Sequence, residues 1–422
     1  MIRLLVIVYI TFISLGLPDA ILGPAWPVLH LDLGVNVAYA GFISMIISAG
    51  TVASSLLSER VILKWKIANV TTFSVLLTAI GLIGFALSQN FITMCFFAIP
   101  LGIGAGAIDS GLNNFVATHY KAIHMNWLHA FWGIGATAGP IILSFFILRN
   151  NGWRISYALI AGLQCTLVVF LFLTLPLWER AQSVLASNTE GATAHNKKKN
   201  VCDKNTDNTY NEKKENEIGI SRKNRLGQLL KLPGAKPALV AFFCYCTVEL
   251  IAGMWGATYL VHTKNLSAEI AAQWIAIYYL GITAGRILAG FVALKLTNNQ
   301  LIRIGQLTSI IGVLCMFISG SNLFQLLGFI LLGLGCAPIY PAMLHETPVR
   351  FGKKMSQGIM GIQMATAYIG TTIMPPLFGF VAGRTSFTIL PFVLVFILLV
   401  ECIVTEIVTI QITGARNESC SF

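Results

Sequence analysis

The 422-residue sequence predicts an all-α membrane protein of twelve transmembrane helices, arranged as two six-helix bundles that repeat one another. Three observations predict it. Only 11% of residues are charged against 56% hydrophobic, whereas a soluble domain carries about a quarter charged residues to cover its wet surface. Mean hydropathy is +0.75, and apolar stretches near the ~20 residues that cross a bilayer recur along the chain. Finally, an offset of 231 residues lays Leu101-Gly102-Ile103-Gly104-Ala105 on Leu332-Gly333-Leu334-Gly335-Cys336, and Gly50-Thr51-Val52-Ala53 on Gly281-Ile282-Thr283-Ala284. Soluble enzymes, nucleic-acid readers and secreted disulfide scaffolds do not fit these properties.

The first span covers 4–29. Its start, Met1 to Leu17, has the character of a signal-peptide core, yet the apolar run continues to about Leu29 without a small-residue cleavage site, so it is read as an uncleaved span. Spans two to six follow at 38–58, 68–88, 91–117, 126–148 and 154–176, each bounded by polar residues or Gly/Pro punctuation. Residues 177–236 break the pattern with Asn, Lys, Glu and Thr, including Lys197-Lys198-Lys199. Too little apolar area is available there to offset ordering entropy, which predicts a largely disordered cytoplasmic linker. Its end, Arg222 to Lys231, places Leu226, Leu229 and Leu230 at helical spacing among basic residues, the pattern of a short helix on the membrane surface. The remaining spans fall at 238–261, 270–294, 300–319, 322–345, 356–381 and 387–410. The domains expected are therefore an N-terminal bundle over 1–176, the linker over 177–236, and a C-terminal bundle with a short tail over 237–422.

Of the 28 Lys and Arg residues, only Arg149, Arg154, Lys264 and Arg384 are assigned to one side, and Arg286 alone falls well inside a span, Arg154 and Arg303 standing at span ends. The other side holds the rest, which predicts both termini in the cytoplasm of a plasma-membrane protein. The net charge of +11 is thus an orientation signal rather than a nucleic-acid patch. The nine cysteines form no CxxC pair and no cluster with histidine at ligand spacing, so they read as small buried hydrophobes, with no metal or cofactor expected. No phosphate-binding GxxxxGK[ST] loop is present, which leaves an ion gradient as the energy source.

Ionisable residues within spans are costly and point to function. Asp19 lies about fifteen residues beyond Arg3, roughly 23 Å along a helix and hence near mid-bilayer. It is read either as a proton-coupling carboxylate facing a wet cavity or as a structural group bonded to backbone freed by Pro18 or Pro24. Asp109 sits in a glycine-rich helix with Asn113 one turn on, so carboxylate and amide share a face that can hold hydroxyls. Asn114 points about 100° away, so one of the two amides is expected to line the cavity. His129 and Trp132 share a face of span five, where imidazole and indole can meet a sugar or simply pack. Glu249 lies one residue from the repeat equivalent of Asp19 and is a second proton candidate. Trp255 and Tyr259 follow it at four-residue spacing, and Gln363 is a further polar candidate in span eleven. Arg286 is expected near the inner gate, bonding helix-end carbonyls or an acid.

Over essentially its whole length the chain resembles the major facilitator superfamily. The 6+6 layout, Gly285-Arg286 in span eight, and Gly133-Ile134-Gly135 with Gly139-Pro140 in span five carry that resemblance. The loop Ser58-Glu59-Arg60 to Lys64 lacks the Gly-Arg-Arg/Lys core usual there. Within the superfamily the first half is similar to the fucose/galactose/glucose:proton symporter family, through Asp19-Ala20-Ile21-Leu22-Gly23-Pro24, Asp109-Ser110-Gly111-Leu112-Asn113-Asn114 and Asn126-Trp127-Leu128-His129-Ala130-Phe131-Trp132. That resemblance implies proton coupling and sugar binding at Asp19 and Asp109, with Asn113 or Asn114, His129 and Trp132 at pocket positions. This sequence departs from it in having His129 and Trp132 where amides are frequent, and Asp109 where Glu is usual. The expected partners are a small solute, probed first as a sugar, protons and the bilayer, with a monomer as the working unit. The alternative is proton-driven efflux of amphipathic compounds, with Trp26, Trp132, Trp255 and Met254 as its apolar contacts.

Overall fold

The computed structural model describes residues 2–120, 122–199, 227–293, 295–318 and 321–420, all of them helix, turn or connection with no strand among them. Helices are what an apolar chain must form in lipid, because each backbone polar group has to be satisfied within its own segment. In the first half these are α1 (Ile2–Asp19), α2 (Leu22–Asp32), α3 (Ala40–Trp65), α4 (Ile67–Leu87), α5 (Phe91–His119), α6 (Ala122–Phe146) and α7 (Gly152–Lys199). The second half contributes α8 (Ala235–Lys264), α9 (Ala268–Val292), α10 (Asn298–Cys315), α11 (Asn322–Phe351), α12 (Lys353–Arg384) and α13 (Leu390–Cys420). Because α1 and α2 are two pieces of one span, the thirteen helices make twelve crossings.

Pro24 explains that break. It has no N–H to donate to the Ala20 carbonyl, so the helix opens at Ala20 and Ile21 and resumes at Leu22. Elsewhere the ends are set by ordinary caps: the Asn90 side chain accepts from the Thr93 N–H at 2.9 Å, and Thr297 with Gln300 forms a capping box at the start of α10. Eleven helical segments among the described residues are long and apolar enough to cross a bilayer. The twelfth crossing, α10, is more polar because it supplies partners to α13. Its Arg303 makes a two-pronged ion pair with Glu406 at 2.7 and 2.8 Å, and its Gln306 donates to the buried Glu401 at 3.1 Å.

The duplication seen in sequence is repeated in three dimensions, contact by contact. Gly102 on α5 is pressed against the Ile47 backbone of α3, and Gly333 on α11 is pressed against Tyr278 of α9. Both members of the second pair lie 231 positions beyond those of the first. Gly104 abuts Ser74 and Thr78 of α4, while Gly335 abuts Gly305 and Ser309 of α10, again at the same offset. A side chain at any of these glycines would strike a neighbouring helix backbone, so close helix crossing explains the glycine-rich motifs.

Two expectations for the middle of the chain change. The boundary read at 176 falls inside α7, which continues helical to Lys199. Residues there such as Ala, Glu, Gln and Lys are good helix formers, and propensity outweighs their shortage of apolar partners. The residues 200–226, with Leu226, lie outside the described residues. A helical turn at 227–230 follows, and its Leu229 is buried against Gly358 and Ile359 of α12 rather than lying free on a surface.

On the side opposite both termini the halves meet backbone to backbone. Gly23 of α2 packs on the backbone of Gly253 and Met254 in α8, and Gly41 of α3 packs on Pro376 of α12. The His30 and His262 rings lie 5.9 Å apart across the same seam. Deeper in the bundle, Gly133 of α6 touches Thr283 of α9.

Candidate functional site

Below that seal lies a two-lobed cavity between the halves. The lobe nearer the seal has a volume of about 270 Å³ and is walled by Leu22, Ile47, Leu101, Leu250 and Met254, with Ser44, Ser48 and Thr51 as hydroxyls. The lobe toward the termini, about 330 Å³, adds Asp109, His129, Arg286 and Tyr340. Asp19, Trp132, Glu249 and Tyr368 border both.

The break after α1 is what presents Asp19. Its residue is exposed although it sits deep in the bundle, because it faces the cavity. The Trp132 indole donates Nε1–H to Asp19 Oδ2 at 2.9 Å, tying α6 to α1. On α5, Asn113 Nδ2 donates to Asp109 Oδ1 at 2.8 Å, as the four-residue spacing requires. That bond leaves Asn113 Oδ1 buried and without a hydrogen-bond partner among the described residues. From the second half, Arg286 Nη2 reaches Glu249 Oε1 at 3.3 Å, with side chains 16% and 19% exposed, so the pair keeps access to the cavity. The Tyr278 hydroxyl donates to the Glu249 carbonyl at 3.0 Å and fixes that turn of α8. The Arg286 guanidinium also stands 5.4 Å over the Trp132 ring, and Tyr279 meets the same ring edge-on at 6.4 Å.

Arg286 faces the cavity in the lobe toward the termini and bonds an acid there, one of the two kinds of partner expected for it. Four other candidates are brought elsewhere. Trp26 is fully buried in the seal, donating to the Val37 carbonyl at 2.6 Å. Trp255 is fully buried between Phe378 and Phe387, donating to the Pro375 carbonyl at 3.0 Å. Tyr259 donates to Gln325 Oε1 at 3.0 Å, and Gln363 accepts from the Thr347 hydroxyl at 3.0 Å. Each is a polar handle on a large or long side chain, and each finds its partner within the packing of its own half. Neither Asn113 nor Asn114 borders either lobe, so the amide expected to line the cavity does not; Asn113 instead bonds Asp109 from behind. Among the described residues no group of three or more metal-ligating side chains forms.

The profile of the Major Facilitator Superfamily matches residues 8–344 and 237–410. The chain belongs to the major facilitator superfamily. A curated relative, the glucose/mannose transporter GlcP of Bacillus subtilis, is 23% identical over 333 residues, covering 78% of this chain and 76% of the relative. Bypass of stop codon protein 6 of Saccharomyces cerevisiae is also 23% identical, over 90% of this chain and 77% of its own. Among solved structures, a D-xylose-proton symporter superposes with a TM-score of 0.69 at 15% identity, covering 94% of this chain and 96% of that one. A peptide transporter superposes with a TM-score of 0.70 at 13% identity, covering 96% and 94%. These two share the fold.

In this superfamily member several cavity residues went unnoticed in the sequence. Ser44, Ser48 and Thr51 line α3 at spacings of four and three, a polar stripe on one face of the helix, and that periodicity was the available signal. Tyr279 and Thr371 carry no comparable signal, since an aromatic or a threonine within a span is most often packed.

Proposed function

We propose that this multi-pass membrane transporter carries out proton-coupled uptake of a monosaccharide or a similar small polyol. The observation behind this reading is the cavity's composition: three carboxyl groups, Asp19, Asp109 and Glu249, stand against the single guanidinium of Arg286. That excess of acid repels an anionic solute and suits a neutral one that travels with a cation. The Asp109 carboxylate, the hydroxyls of α3 and the faces of Trp132 and Tyr279 supply what a pyranose needs, polar edges and apolar faces. Each lobe lies near the lower end of the ~300–1,000 Å³ typical of small-ligand sites. The likeness to GlcP supports the substrate class. With the termini in the cytoplasm of the plasma membrane, as the basic residues suggest, the seal is extracellular and this conformation faces inward. One chain holds a complete cavity, consistent with action as a monomer.

The proton then enters at Asp19, substrate binds at Asp109 and its neighbours, and release inward precedes deprotonation. Uptake of a panel of labelled monosaccharides into proteoliposomes with an inside-alkaline gradient tests this. Accumulation that a protonophore abolishes is expected for at least one sugar; absence of uptake across the panel by folded protein overturns the reading. The apolar wall of the upper lobe favours a second reading, proton-driven efflux of amphipathic compounds, although Trp26 and Trp255 do not reach the cavity to serve it. Counterflow separates them, because preloaded sugar accelerates labelled sugar entry only for the importer.

A further inference from the structure

The three contacts described around Trp132 form one unbroken chain across the cavity: Asp19 to Trp132 at 2.9 Å, the Trp132 ring to Arg286 at 5.4 Å, and Arg286 to Glu249 at 3.3 Å. The first two residues belong to the first half and the last two to the second. We propose that Trp132 is a proton-sensitive strut, a positioning residue through which the state of the Asp19 carboxyl sets how firmly Arg286 holds the two halves together. The inference rests on the proton-coupled reading above and deepens it.

The chemistry runs through one ring. A carboxylate accepting from the indole N–H makes a charge-assisted hydrogen bond and pushes electron density into the ring. The face of that ring is the seat of the guanidinium, and a more electron-rich face holds a cation more firmly. A neutral carboxyl at Asp19 weakens the first bond and with it the second, leaving Arg286 to Glu249 alone. Position adds to this. Trp132 directly precedes Gly133, at which an added methyl would run into the Thr283 side chain of α9, so the strut stands beside a close crossing of α6 and α9. A contact beside that crossing changes the relative tilt of the halves with little motion of its own.

Other charged and titratable groups face the same space: Asp109 on α5, His129 on α6, Cys246 and Glu249 on α8, Tyr279 and Arg286 on α9, Tyr340 on α11, and Tyr368 on α12. The test must separate Asp19 from these and from His30 and His262 in the seal. Hydrogen exchange of the α2 amides, corrected for intrinsic rates and followed from alkaline to mildly acid buffer, reads opening of the seal without any substrate. The wild-type chain is expected to lose protection in acid. Trp132→Phe, which keeps a ring but removes the N–H, is expected to flatten that response, as is Asp19→Asn, which retains both histidines of the seal. Ring-fluorinated tryptophan at position 132, which keeps the N–H but weakens the face, is expected to reduce pH-driven sugar accumulation about tenfold while sparing counterflow. A wild-type pH response preserved in Trp132→Phe overturns the proposal, as does a wild-type chain with no pH response. A response that depends on Trp132 in a protein that moves no sugar leaves the strut standing and removes the sugar reading.

Discussion

Asp109 is the residue on which substrate affinity should depend most. Its Oδ1 is held by Asn113, so the carboxylate is fixed in orientation and presents a charged acceptor to the cavity. Hydrogen bonds to charged groups contribute about 1.5–3 kcal/mol each, so Asp109→Asn should weaken sugar binding by about 10- to 100-fold, measured by substrate-dependent thermal shift. The wild-type fold should survive, because the amide is nearly isosteric. The acids, their partners Asn113 and Trp132, and His129 in the cavity wall were legible in the sequence because polar groups inside spans stand out. Which aromatics face the cavity was not. Trp26 and Trp255 carry the same apolar surface and N–H as Trp132, and only the tertiary position of a carbonyl or a carboxylate decides which partner each indole finds. Arg286 lies roughly 12 Å from the expected inner end of its span by helical rise, and depth alone does not reveal that it faces a cavity there.

Among the elements, the broken first span does two things at once. The opening at Ala20 and Ile21 turns Asp19 toward the cavity, and the piece that resumes, α2, lies so close to α8 that Gly23 packs on bare backbone. A methyl at Gly23 would stand 2.6 Å from the Gly253 and Met254 oxygens, and backbone cannot yield as a side-chain tip can. Gly23→Ala should therefore disfavour the sealed state and shift the population toward one open on that side. Faster hydrogen exchange of the α2 amides, with α4 unchanged, checks it; unchanged protection of α2 would mean that the seal is not formed by this contact. The sequence showed the glycines and prolines of this segment, and periodicity could not assign them, because a glycine at a helix crossing and one at a kink look alike in one dimension.

For the whole molecule, the duplicated architecture was readable because the repeat preserves glycines at the helix crossings, Gly102 and Gly104 answered by Gly333 and Gly335. Helical order was readable wherever apolar length sufficed, α10 included, although its polar Arg303 and Gln306 serve α13. The extension of α7 to Lys199 was missed because composition registers missing burial more readily than helix propensity. None of this by itself gives direction of transport. That depends on a pair of halves sealed on one side, with three acids and one arginine at their junction. Simultaneous recording of labelled sugar entry and lumenal pH in proteoliposomes without an imposed gradient tests this claim most directly. Adding sugar outside should acidify the lumen as it enters, and Asp19→Asn should admit sugar with no acidification. Sugar entry by the wild-type chain with no change in lumenal pH, or with alkalinisation, would contradict the account.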